Sequence, residues 1–220
     1  MAKAWEGATD LPSVIPLFPL PNAVLFPGVP LPLHVFEPRY REMVQVVSQG
    51  DDRIIGMVLL RGDWRKDYYE NPPVFRVGCA GRMLSVEPLA DGRSNILLHG
   101  VREFVISEES HARPYRQATV SWRQPAGGEL RPALRRRIRD LVARFLGDGE
   151  PKLARKLIDD PSVSDELLVN FLCYALSFPP LEKQALLDVG SLEQRGTRLC
   201  EVVQFALEGG GMGGGDDRYH

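Results

Sequence analysis

The chain predicts an α+β fold, with a β-rich half followed by a helical half, and three observations predict it. Up to about Trp122 the apolar runs are short, rich in Val, Ile, Leu and Phe, and broken by Gly, Pro and Asp, the pattern of strands. Beyond Gly127 and Gly128 the apolar residues recur at helical spacing instead. Strands first and helices second make a segregated α+β protein. At 220 residues and 44% hydrophobic content the chain can bury a genuine core, as one large domain or two small ones.

Residues 1–12 read as a flexible start, since "MAKAWEGATD" lacks the apolar run of a signal peptide. The β-rich part is assigned to residues 13–124, with "RIIGMVLL", "VFRVGCAGRMLSVEPL", "NILLHGVREFVI" and "RQATVSW" as strand segments. The Asp-Gly of "LADGRSN" marks a hairpin turn between two of them.

Proline is unusually dense at the beginning of this half. Pro12, Pro16, Pro19 and Pro21 precede "VLFPGVPLPLHVFEPRYREMV", which holds four more. Pro30 and Pro32 share parity, so one edge of that strand lacks two successive N–H donors, as on an edge strand or at a barrel opening. Val29, Leu31, Leu33 and Val35 then share the core face. Pro38 occupies the first position of a helix, where its missing N–H is not needed. Tyr40, Met43, Val44 and Val47 follow on one helical face, and Gly50 closes it.

The helical half is assigned to residues 129–208, with the seam near Gly127 and Gly128. In "PALRRRIRDLVARFL" Leu134, Ile138, Leu141, Val142 and Phe145 line one face, with arginines opposite. Ser162 to Glu166 offers caps ahead of "LLVNFLCYALSF", a run apolar nearly all round that Pro179 and Pro180 stop. "SLEQ" at Ser191 to Gln194 has the capping-box form before a last helix reaching about Leu207. Residues 209–220, "GGGMGGGDDRYH", cannot bury apolar surface and read as a disordered tail.

Several function classes lose support at once. The 27 basic and 29 acidic residues nearly cancel, which gives no push toward nucleic acid or anionic membrane. No run approaches the length that spans a bilayer. Cys79, Cys173 and Cys200 are odd in number and far apart, so neither a disulfide framework nor a zinc site is indicated, and the expected compartment is the cytoplasm. "GxxxxGK(S/T)" is absent, and no glycine is followed by lysine, so no phosphate-cradling loop is present. No "GxSxG" elbow occurs either. His34 and Glu37 in "HVFE", with His99 and His111 elsewhere, fall short of a three-ligand zinc site; a structural hydrogen bond or an ion pair with Arg39 is simpler. The arginines of "RPALRRRIR" read as a solvated face, because no stacking aromatics are interleaved with them. Cys79 in "VGCAGR" reads as buried packing rather than a nucleophile.

"IPLFPLPNAVLFPGVPLPLHVFEPRYREMV", "RIIGMVLL", "VGCAGRMLSVEPLADGRSNILLHGVREFVI" and "EKQALLDVGSLEQRGTRLCEVV", in this order and spacing, resemble the amino-terminal substrate-binding domain of Lon proteases over about residues 13–207. The resemblance implies a PUA-like pseudo-barrel half followed by an α-helical bundle. It also implies a non-catalytic module that binds polypeptide, either unfolded segments or a specific protein, without the ATPase and peptidase domains and without a cofactor or metal. A groove between a strand edge and the helical half would take an extended peptide, with Phe36, Glu37, Arg39 and Tyr40 as candidate binding residues. An RNA-binding PUA-like protein is the alternative, and a cryptic small-molecule enzyme the second.

Overall fold

One strand, β5, is long enough to organise the whole sheet. The computed structural model describes residues 11–66, 68, 70–146 and 152–209. The expectations for residues 1–10 and 210–220 lie outside them. The strands are β1 (Val14–Leu20), β2 (Pro30–Val35), β3 (Ile54–Leu59), β4 (Val77–Pro88), β5 (Ser94–Ser110) and β6 (Gln117–Trp122). Their order is β2-β5-β4-β3-β1-β6, with a further β5–β6 pairing that closes five of them into a ring. On one edge, the first part of β5 pairs with β2 through residues 94–99, and its second part pairs with β6 through residues 104–110. Thus β2 lies outside the ring. The β1–β3 pair is parallel, and the rest are antiparallel.

Strand β3 is buried along its whole length, and its alternation sorts two cores. Ile54 and Val58 join Ile15, Leu17, Phe104, Ile106 and Val120 inside the ring. Ile55, Met57 and Leu59 belong to a second cluster, shared with Met43 and Val44, Leu168 and Leu172, Leu186, and Leu199. The Phe104 ring fills the lumen so tightly that a Cβ on Gly56 or Gly78 would lie 2.9 or 2.6 Å from its Cζ.

The proline pattern is explained by this topology. Proline has no N–H, so the ladder of β2 with β5 runs through Leu31, Leu33 and Val35, and Pro30 and Pro32 face the open edge. Both prolines are exposed, while Val29, Leu31 and Val35 are buried and Leu33 is half-buried. Helix α1 (Pro38–Gln49) starts on Pro38 after Glu37 and buries Tyr40, Met43, Val44 and Val47. Gly50 does end it, but at φ −84° in extended backbone rather than in the left-handed region. The β4–β5 hairpin does use a left-handed glycine, Gly92 at φ +80°.

Five more helices follow: α2 (Pro132–Leu146), α3 (Lys152–Asp159), α4 (Asp165–Ala175), α5 (Pro180–Asp188) and α6 (Leu192–Leu207). Ser164 and Ser191 cap α4 and α6, each accepting from the backbone N–H three residues on at 3.3 Å. The expected stop at Pro179 and Pro180 is displaced. Helix α4 already ends at Ala175, and Pro180 instead opens α5 at its first position. No helix among the described residues is long and apolar enough to cross a membrane.

Candidate functional site

The chain segment before β2 crosses the middle of β5, and glycines permit it. Gly28 N–H donates to Gly100 O at 2.8 Å, and Gly100 N–H donates to Val29 O at 2.9 Å. A Cβ on Gly100 would lie 2.0 Å from Phe26 O, so only glycine lets the two backbones approach this closely. Gly28 itself turns at φ +79°. At the same place Ala80 pairs with Arg102 and Gly81 with Gly100, leaving Val101 as an extra residue in a bulge. The bulge re-aims the side chains around it.

Above this crossing lies a cavity of about 530 Å³ between the sheet and the helices. Pro27, Gly28 and Gly100 line it from the crossing; Arg82, His99, Val101 and Arg102 from β4 and β5; Ser164, Glu166 and Leu167 from the start of α4; Leu11 and Pro125 complete it. Its size fits the range of ligand-binding pockets. Burial holds the His99 imidazole below its ordinary value of 6.5. Burial also raises the Glu166 carboxyl, opposed by Arg195 and assisted by Glu103. Arg102 is half-buried and makes no ion pair among the described residues.

Behind the cavity a buried polar network ties the two halves together. The Arg195 side chain, on α6, is fully buried and donates to Glu103 Oε1 at 2.5 Å, Asn170 Oδ1 at 2.6 Å and Leu186 O at 2.9 Å. Glu103 Oε2 accepts from Arg123 at 3.0 Å, and Arg123 also donates to Leu187 O and Asp188 O. Two arginines therefore collect the carbonyls at the end of α5, where the helix dipole favours cations. Asn170 Nδ2 completes the link by donating to Pro27 O at 3.1 Å, at the floor of the cavity.

The residues singled out in the sequence lie elsewhere. Glu37, Arg39 and Tyr40 are brought together at the start of α1, and none of them lines the 530 Å³ cavity. Glu37 pairs with Arg39 at 2.9 Å and accepts from Tyr68 Oη at 2.6 Å. The Arg39 guanidinium lies over the Tyr40 ring at 4.6 Å and the Tyr68 ring at 5.2 Å. Tyr40 is 3% exposed and packs on Phe18 at 4.3 Å. Phe36 stands apart, 59% exposed beside His34. His34 bonds Asn95 at 2.8 Å, so it and Glu37 turn to different partners. A smaller cavity of about 250 Å³ does include Arg39 and Tyr40, with His111, Arg113 and Arg116.

Arg82, His99, Arg102 and Glu166, which line the larger cavity, are not among the candidate binding residues read from the sequence. The available signal was glycine inside strands, "CAGR" and "HGVR", each followed within two residues by a cation. Arg131, just before α2, bonds Glu193, and within α2 Arg135 bonds Asp165, Arg137 bonds Gln204 and Arg139 bonds Asp140. The three cysteines are buried and free, and burial pushes the Cys173 thiol up to about 12 and Cys79 well above its ordinary value.

Comparison with known proteins places this architecture. A family model described as the ATP-dependent protease La (LON) substrate-binding domain matches residues 14–204. The Lon protease of Cytophaga hutchinsonii is 28% identical over 216 residues, covering 94% of this chain and 26% of that protein. The Lon protease of Parabacteroides distasonis is 28% identical over 209 residues, covering 90% and 24%. The chain thus spans about a quarter of the length of these curated relatives. Among solved structures, a Lon N-terminal domain protein from Xanthomonas campestris superposes with a TM-score of 0.65 at 24% identity, covering 86% of this chain and 97% of that one. The N-terminal domain of Mycobacterium avium complex Lon protease gives 0.69 at 15% identity, covering 87% and 98%. With the family model spanning both the strand ring and the helices, the chain belongs to the Lon substrate-binding domain family.

Proposed function

We propose that this chain is a non-catalytic polypeptide-binding module, and that it holds an extended, unfolded segment in the groove between β5 and α4, as a recognition or adaptor unit for proteolysis. The observation that carries the reading is the groove itself. It is concave, about 530 Å³, and mixes apolar side chains (Leu11, Val101, Leu167) with polar ones (Arg82, His99, Arg102, Ser164, Glu166), within the size range of ligand-binding pockets. Family membership supports the substrate class, since the matching model is a substrate-binding domain. Backbone pairing at the open edge of β2 is disfavoured, because Pro30 and Pro32 remove two of its donors. Side-chain capture in the groove takes its place. The RNA-binding alternative loses its main support, since Arg131, Arg135, Arg137 and Arg139 already bond within the chain.

The test is equilibrium binding of a permanently unfolded protein, such as reduced and carboxymethylated α-lactalbumin, against its native form. Binding of the unfolded form alone, weakened by Leu167→Asp and by Val101→Asp, is the expected result. Equal binding of both forms, or an unfolded form whose affinity ignores both substitutions, overturns the groove reading.

A further inference from the structure

We infer that the groove selects segments in which an acidic side chain is flanked by apolar ones, with Arg102 receiving the carboxylate. This deepens the polypeptide-binding reading and rests on it.

The argument begins with charge. Arg102 lines the groove from the sheet, and among the described lining residues the one carboxylate is Glu166, from α4. Glu166 lines the same groove, so its carboxylate opposes a ligand carboxylate there. Elsewhere in the fold the half-buried and buried arginines are committed: Arg39 to Glu37, Arg116 to Glu109, Arg123 and Arg195 to Glu103, Arg135 to Asp165. Arg102 departs from that rule among the described residues, although its side chain is half-buried. A cation left partly desolvated without a counter-charge costs stability, and a ligand carboxylate removes that cost. Across the ladder Arg82 stands directly opposite His99, and Arg102 follows the bulge at Val101. Arg102 therefore stands on the groove wall, with Leu11, Val101 and Leu167 lining the same groove.

The available donors also decide which carboxylate fits. Capture of a chain-terminal carboxylate uses free backbone N–H groups. Here the N–H groups of Gly28 and Gly100 are spent on Gly100 O and Val29 O, and the N–H of Leu167 on Ser164 Oγ. The crossing therefore offers no free backbone donor at Gly28 or Gly100, and the Arg102 guanidinium is the side-chain donor on the sheet wall. A planar guanidinium reads a planar side-chain carboxylate in bidentate fashion. The occupant is an aspartate or glutamate within an apolar segment, not a chain terminus.

The experiment measures fluorescence anisotropy of the labelled peptide Ser-Leu-Val-Glu-Phe-Leu-Ser, its Glu-to-Gln counterpart, and versions with a free or an amidated C-terminus. The full chain is used as wild type, Arg102→Gln, Glu166→Gln and, as a control on α2, Arg136→Gln. Expected for the wild type is roughly ten-fold or greater preference for the glutamate peptide. Amidation changes nothing. Arg102→Gln removes the preference while still binding the Gln peptide, Glu166→Gln strengthens glutamate-peptide binding, and Arg136→Gln behaves as wild type. Equal affinity for the two peptides overturns the acidic selectivity and leaves polypeptide binding standing. Loss of affinity on amidation assigns the site to chain termini and also overturns it. If Arg102→Gln fails to fold, Glu166→Gln decides, because unchanged or weakened binding refutes the charge argument. Absence of binding by every peptide refutes this inference, whereas refutation of the polypeptide reading itself requires that unfolded α-lactalbumin also fail to bind.

Discussion

Replacing Arg195 by methionine tests what holds the helical half to the strand ring. The substitution keeps much of the apolar stem and removes the donors. Glu103 Oε1 loses its 2.5 Å partner while Oε2 keeps Arg123 at 3.0 Å, so the buried carboxylate is half-compensated. Asn170 Oδ1 and Leu186 O lose donors at 2.6 and 2.9 Å. Breaking a buried pair costs about 3–5 kcal/mol, and each orphaned acceptor adds about 1 kcal/mol. Retention of Arg123 moves the first term to its lower end, giving about 4–5 kcal/mol in all. At about 2–4 °C per kcal/mol for a domain of this size, Tm falls by roughly 8–20 °C. Urea titration followed by tryptophan fluorescence and by circular dichroism measures the loss. Adding Glu103→Leu removes the stranded charge and is expected to restore about 2 kcal/mol or more. A single-mutant loss below about 1 kcal/mol, or a double mutant as unstable as the sum of its parts, refutes the reasoning.

Other consequences are as direct. Gly100→Ala places a methyl group 2.0 Å from Phe26 O and should cost about 2–3 kcal/mol in a denaturant titration; a neutral result would mean that the crossing is loose. Cys79 and Cys173, whose thiols are buried and raised, should resist a thiol reagent until the chain unfolds, so rapid native labelling of either contradicts their burial. His99 has a folded-state pKa below 6.5, so the unfolded chain binds the extra proton first; stability is unaffected at higher pH and declines as pH falls through 6.5 toward the folded value. His99→Gln should flatten that part of the stability profile, and an unchanged slope assigns it to other groups. Replacing Pro30 and Pro32 with valine restores two N–H donors on the open edge of β2, and light scattering should then show stronger concentration-dependent association than for the native chain; unchanged scattering would mean that the prolines do not guard the edge.

Local rules were legible, and three-dimensional closure was not. Pro30, Pro32 and Pro38 act through their own backbone geometry, and Ser164 and Ser191 through the next turn, so neighbouring residues suffice to read them. The ring depends on β5 pairing with β4 along one edge and with β6 along the other, with register shifts that no periodicity announces. Arg195 shows the same limit more sharply. In "SLEQRGTRL" it resembles any exposed helical cation, and only the convergence of β5, α4 and α5 makes it the largest fully buried side chain. Glu37 and Arg39 mark the reach of local reading. An ion pair between residues two apart is legible, but the Tyr68 hydroxyl arrives from a loop and joins Arg39 on the carboxylate.

The proline stretch therefore has two structural roles at opposite ends. Pro30 and Pro32 close the edge of β2 to another strand, while Pro27 and Gly28 form the floor of the groove and join the helical half through Asn170. Blocking the edge disfavours the simplest way for an extended peptide to add to this sheet. The bulge at Val101 opens a concave alternative a few residues away, where side chains rather than backbone can read the ligand. The floor of that groove is also one end of the chain of bonds through Asn170 and Arg195 to the last turn of α5. A ligand pressing on Pro27 would act on the bonds that fix the helices to the ring. Occupancy and the stability measured in the Arg195 experiment are consequently linked, and bound peptide should stabilise the native chain more than it stabilises the Arg195→Met variant.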